Sequence, residues 1–372
     1  MISTLDPSLW AGSFASRESS MHQLAPYVGK MKTGMARVLI ERFSQAGEVV
    51  LDPFAGSGVV SYESVLLGRQ TIASDLSPYA YVLTLGKLTA PVSEAVALRE
   101  AEQYITRAEA EAKSVRADHI PAWVRAFFHP RTIREVVSVV RLLRAEERHF
   151  LLACVLGILH HVRPGFLSYP ASHLTPYLRE RNYPRDQYPG MYAYRDLRSR
   201  LLAKVRRAYR RAPAWDRSLG WQVLRENTMS LSLASQSVDA VISSPPYFGA
   251  LDYARDNRLR LWFLGVEDYH TLERELTSKD QVYVEQMSPC LSELHRVLKP
   301  GRHCVLVLGD VERNGSRRDT AGIISELAAE HGFVTEALID DHIPDDRRSR
   351  RRTRTTKRER VLVMRASPQG QG

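Results

Sequence analysis

Apolar positions recur along this chain in two periods. Short continuous runs bounded by glycine, proline or an acid read as buried strands: Val49–Asp52, Gln70–Ser74 and Val238–Ser243. Helical spacing follows the first of them (Val59, Val60, Val65, Leu66, Leu67), and longer helical stretches are expected at about residues 93–115, 132–145, 150–161 and 194–211. Residues 334–339 and 361–364 read as the last two strands, joined by a strongly basic segment. Strands interleaved with helices predict an α/β fold, with a mainly helical insert between the second and third strands.

Two turns carry chemistry. The first, Asp52-Pro53-Phe54-Ala55-Gly56-Ser57-Gly58, passes from strand to helix, and its glycines allow close approach of backbone to a ligand. Asp75 ends the next strand about 20 residues on, where a Rossmann-like unit places a carboxylate on ribose hydroxyls. The loop is not Gly-x-Gly-x-x-Gly, so a dinucleotide pyrophosphate fits poorly. A tight strand–helix turn without a ligand is the competing reading. The second turn, Ser244-Pro245-Pro246-Tyr247, stops a buried strand, because proline fixes φ and offers no N–H to the ladder. A hydroxyl, freed carbonyls and an aromatic ring on one rigid turn make a slot for a flat, amino-bearing group.

Together these segments resemble the exocyclic-amino DNA methyltransferases, which methylate cytosine N4 or adenine N6 using S-adenosylmethionine. In that resemblance Asp52 through Gly58 match the cofactor loop, Asp75 with Leu76 the ribose-binding end of the second strand, and Ser244 through Tyr247 the catalytic motif. Residues 22–31, with Tyr27 and Lys30, look like the segment that closes over the methionine end of the cofactor. Glu226-Asn227-Thr228 stands where the family usually has Gly-Asp-Ala, so Asn227 replaces an expected acid. Residues 296–301 look like the turn before the fifth strand. The resemblance implies a Rossmann-like class I methyltransferase fold: a mainly parallel seven-stranded sheet with helices on both faces. It implies a catalytic domain over residues 22–90 and 221–372, and a helical insert, 91–220, as candidate target-recognition region. Residues 1–21 form an N-terminal segment whose order is left open.

Charge sharpens the expected partner. The net charge is +10, yet residues 347–360 alone carry nine Lys or Arg against one Glu, and residues 179–211 carry eleven against three acids. The rest is an ordinary acidic surface. Arg347, Arg348, Arg350, Arg351 and Arg352 are candidate phosphate contacts, unless that run is merely solvated. Arg179, Arg181 and Arg185, interleaved with tyrosines in the insert, are candidates for the same work. Three separated cysteines (Cys154, Cys290, Cys304) read as buried free thiols in a reducing compartment, and His160-His161 as the end of a helix rather than a metal site. No leader and no long apolar run is seen, so a cytoplasmic, DNA-associated bacterial or archaeal enzyme without a membrane is expected.

The resemblance implies double-stranded DNA as partner, with or without a cognate restriction endonuclease. Serine at the head of the second turn points to cytosine N4 over adenine N6. An RNA or protein methyltransferase with a similar turn, and an inactive DNA-binding module, are the other readings.

Overall fold

The computed structural model describes residues 5–11, 18–160, 166–169, 181, 183–246, 253–275, 280–313, 316–342 and 358–368. Tyr247, Arg179 and Arg347 through Arg352 therefore lie outside the described residues. So do His161 and most of the proline- and tyrosine-rich stretch of the insert.

Among the described residues eight strands form the sheet: β1 (Val49–Asp52), β2 (Gln70–Ser74), β3 (Trp221–Leu224), β4 (Val238–Ser243), β5 (Leu298–Arg313), β6 (Ser316–Arg318), β7 (Phe333–His342) and β8 (Arg358–Ala366). Their order is β3-β2-β1-β4-β5-β8-β7, with β6 a hairpin partner of β5. The first five pair in parallel; β8 runs antiparallel between β5 and β7. This is the Rossmann-like class I methyltransferase fold, as expected, with one short strand more than the seven anticipated.

Side-chain alternation explains the two packed faces. Val50, Val305, Val307, Val361 and Val363 join one core with Met35, Leu39 and Ile40 of the helix Thr33–Phe43. Their neighbours Leu51, Cys304, Leu306, Leu362 and Met364 join the opposite core with Leu291 and Leu294 of the helix Asp280–Val297. A period of two in sequence thus becomes helices on both faces. Part of the N-terminal segment belongs to the first core: Trp10 is buried, and its indole N–H donates to Asp341 on β7 at 3.1 Å.

The insert forms a third layer. Its helices Glu94–Glu111, Pro130–Ala145, His149–Ile158 and Leu197–Tyr209 share one continuous apolar cluster with Tyr62, Tyr79 and Leu83 from the sheet-covering helices. Contact is close at Gly157, where an added Cβ would fall 1.9 Å from the carbonyl oxygen of Leu24. That contact seats residues 24–27 against the insert. His160 is buried, with Nδ1 2.7 Å from the Ser168 hydroxyl and its ring edge-on to Phe127. All three cysteines are free and buried. Among the described residues no helix is long and apolar enough to cross a membrane.

Candidate functional site

In a doubly wound sheet the ligand crevice opens where strand order reverses, beyond the carboxyl ends of the strands. Here that place lies between β1 and β4, and it holds a pocket lined by both sequence-predicted turns. Asp52, Pro53, Phe54, Ala55, Gly56 and Ser57 form one wall, with Asp75, Leu76 and Ser77 beside them. Tyr27, Lys30, Asn227, Ser244 and Pro246 are the other predicted residues that line it.

Hydrogen bonds fix the two strand ends to each other. The Ser243 hydroxyl donates to Asp52 Oδ1 (2.6 Å) and accepts the Phe54 N–H (3.2 Å). Asp75 accepts the N–H of Gly56 at Oδ2 and of Ser77 at Oδ1, both at 2.8 Å. Each carboxylate oxygen has a second lone pair, so Asp75 keeps acceptor capacity for a hydroxyl-bearing ligand. Thr228 donates to the Pro53 carbonyl at 2.7 Å and ties the loop after β3 to the same turn.

The two glycines do different things. Both are left-handed, Gly56 at φ 51° and Gly58 at φ 68°. A Cβ on Gly56 would lie 3.1 Å from the Tyr27 ring, which stacks on Tyr79, whose hydroxyl donates to the Pro26 carbonyl. Gly58 does not line the pocket: a Cβ there would meet Thr84 Oγ1 at 2.6 Å. Its place in the predicted set is explained by packing of turn on helix.

Electrostatics suit a cationic ligand. Burial pushes the Asp52 carboxyl up to about 7, with Asp75 repelling it further, against the Ser243 hydrogen bond. Burial likewise lifts Asp75 to about 6, against the N–H bonds from Ser77 and Gly56. Two carboxylates reluctant to ionise together are stabilised by positive charge between them. Among the described residues no cluster of three His, Cys, Asp or Glu side chains could hold a metal ion.

At the second turn the Ser244 hydroxyl donates to the Val307 carbonyl of β5 at 3.1 Å. Pro245 is not among the lining residues. Asn227 lines the pocket and its Oδ1 accepts the Met229 N–H at 3.0 Å, so it offers a ligand its amide N–H donors and one remaining lone pair. An aspartate there would offer only acceptors. Arg181 and Arg185 lie in the insert, where Arg185 packs over the Tyr192 ring at 4.7 Å; neither lines the pocket.

Sequence reasoning missed one wall. Tyr283, Gln286, Met287 and Cys290 form a stripe on the helix Asp280–Val297, and Asn257 adds a further amide. The i, i+3, i+4, i+7 spacing of the stripe was the available signal.

A protein-family model described as DNA methylase matches residues 8–84. Type II methyltransferase M.MjaII of Methanocaldococcus jannaschii is 29% identical over 72 residues, 19% of this chain and 14% of that protein. The chain thus spans only a small part of the length of the curated relative it matches. Among solved structures, TrmN from Thermus thermophilus is similar at TM-score 0.38 and 12% identity, over 94% of this chain and 53% of that one. A SAM-dependent methyltransferase from Methanosarcina mazei is similar at TM-score 0.37 and 12% identity, over 89% and 98%. The family-model match, over residues 8–84, includes the pocket-forming first turn and Asp75.

Proposed function

We propose that the chain is a DNA methyltransferase that uses S-adenosylmethionine to methylate the exocyclic N4 amine of cytosine in duplex DNA. The observation that carries this reading is the Ser244 hydroxyl, which lines a pocket with the buried Asp52 and the part-buried Asp75 carboxylates and donates its O–H to the Val307 carbonyl.

The residues fit the cofactor. Asp52 and Asp75 supply negative charge and hydroxyl acceptors, Gly56 leaves the wall open under Tyr27, and Met287 with Leu76 supply apolar lining. Bound there, S-adenosylmethionine supplies an electrophilic methyl group on a sulfonium. The chain's part is to place a weakly nucleophilic aromatic amine. Because Ser244 Oγ spends its hydrogen on Val307, its lone pairs accept an N–H from that amine. The Pro245 carbonyl is the second acceptor in this reading, and Tyr247 the ring on which the extruded base stacks. Two such acceptors favour a pyramidal nitrogen with its lone pair exposed. A neutral serine does not take a proton before attack, so the proton leaves afterwards, from the acidic ammonium to water.

The insert and the loop after β7 are the proposed DNA surface. Trp123 is 36% exposed, with the Arg258 guanidinium 5.4 Å from its indole centroid. Tyr183 and Tyr188 are exposed as well. Aromatic faces beside arginines suit bases and phosphates. β7 ends and β8 begins at the carboxyl edge of the sheet, with His342 and Arg358 as register partners.

Labelled methyl transfer tests the substrate class. The purified protein, given S-adenosylmethionine and equal masses of mixed-sequence duplex DNA, total RNA and protein, should label the DNA. Label on RNA or protein instead would overturn the assignment.

A further inference from the structure

Three polar side chains that this chemistry does not use are buried beneath the glycine turn: His22, Glu63 and Lys87, at 2%, 1% and 2% exposure. They come from the short turn Ser20–Gln23, the helix Val59–Leu66 and the helix Pro78–Leu88. Buried polar groups are tolerable only when paired, and these are paired in one line. Arg37 donates to Glu63 Oε2 at 2.7 Å, and His22 Nε2 lies 2.6 Å from Glu63 Oε1. Lys87 Nζ lies 3.2 Å from His22 Nδ1 and donates to the Gly58 carbonyl at 3.3 Å.

The partners set the tautomer. Burial works against the Glu63 charge, but the His22 and Arg37 contacts outweigh it and hold this carboxyl below its ordinary value. An ionised Glu63 only accepts, so His22 carries its proton on Nε2 and presents a lone pair at Nδ1 to Lys87. The line also has a second end. Lys30, which lines the pocket, donates to the backbone carbonyl of His22 at 3.2 Å. One chain of hydrogen bonds therefore joins the Gly56–Gly58 turn to the segment that carries Tyr27 and Lys30. Both the turn and that segment line the pocket.

We propose that His22 and Lys87 are positioning residues for the cofactor pocket, with His22 Nδ1 as the acceptor that aims Lys87 at Gly58 and so sets the turn against residues 26–31. Stability alone does not require the arrangement, because well-packed apolar side chains of similar volume serve a core as well or better. The inference rests on the cofactor reading above.

Two histidine substitutions separate positioning from packing. His22→Asn sets an amide oxygen near the place of Nδ1 and keeps an acceptor for Lys87. His22→Gln reaches the place of Nε2, keeps a partner for Glu63 and leaves Lys87 without its acceptor. The measurements are the dissociation constant for S-adenosylmethionine by calorimetry, kcat at saturating cofactor, and Tm. Expected are a constant within about threefold of the wild type for His22→Asn, and a loss of about tenfold for His22→Gln and Lys87→Met, with kcat within about threefold throughout. Equal losses for the two histidine variants, tracking their Tm values, would make the cluster packing and overturn the proposal; so would an unchanged constant in Lys87→Met. A wild-type protein that binds no S-adenosylmethionine would instead overturn the cofactor reading itself.

Discussion

The Ser244 hydroxyl donates a hydrogen bond to the carbonyl oxygen of Val307, 3.1 Å away on the neighbouring strand. Its neighbour Ser243 turns the other way and donates to Asp52 on β1 at 2.6 Å. Two consecutive serines at the end of β4 thus tie it to both flanking strands. Ser244 also lines the pocket, and its oxygen keeps lone pairs that can accept.

Ser244→Ala removes that acceptor without touching the carboxylates. The expected result is a fall in kcat on the order of 100-fold, as for a misplaced reacting group, with the dissociation constant for S-adenosylmethionine unchanged. Steady-state kinetics beside calorimetry check this. Loss of cofactor binding in the same variant would place Ser244 in the wrong half of the pocket.

Gly58→Ala and Gly47→Ala separate backbone strain from crowding. Both positions are left-handed, at φ 68° and 83°, but a Cβ on Gly47 meets nothing within 4 Å. On Gly58 it meets Thr84 at 2.6 Å from Oγ1 and 2.9 Å from Cα. The Gly47 variant should lose about 1 kcal/mol and the Gly58 variant about 2–4 kcal/mol, read from urea unfolding. Equal losses would contradict the described packing of turn on helix.

Asp52 and Asp75 make cofactor affinity depend on pH. Their folded-state values, about 7 and about 6, lie above the ordinary 3.8. Without a cation the folded protein binds more protons than the unfolded chain between about 4 and 7. These two groups therefore cost stability as pH rises through that window. A cationic cofactor favours the ionised pair, so affinity should fall as pH drops from 8 to 5.5. Tm of the free protein and the cofactor-induced increase in Tm, measured at both pH values, should move in opposite directions. A larger cofactor-induced increase at pH 5.5 would contradict the assignment.

Neutralising Arg350, Arg351 and Arg352 together tests the basic segment, which lies outside the described residues. If each meets a phosphate, the slope of log affinity for duplex DNA against log salt should become shallower by about 2.7. An unchanged slope would return the run to solvated surface.

Much of this site was readable because its parts are local in sequence. Asp52 through Gly58 and Ser244 through Tyr247 are turns whose glycine and proline positions announce backbone geometry before any contact is known. The wall from Tyr283 to Cys290 was not, since it reaches the pocket by helix packing and carries no turn signal. Lys87, His22 and Glu63 were illegible for a related reason. Charged residues in helices read as surface, whereas the fold buries these three. Asn227 shows the converse, because its substitution for an acid was visible but the capture of its oxygen by Met229 N–H was not.

The central claim is that Ser244 presents an acceptor to the amine of cytosine. Its most direct test is the identity of the methylated nucleoside. Mixed-sequence duplex DNA treated with the wild-type protein and S-adenosylmethionine, then digested and resolved by mass spectrometry, should contain N4-methyl-deoxycytidine, formed on the order of 100-fold more slowly when Ser244→Ala replaces the wild type. N6-methyl-deoxyadenosine as the only product, or undiminished methylation by Ser244→Ala, would contradict it.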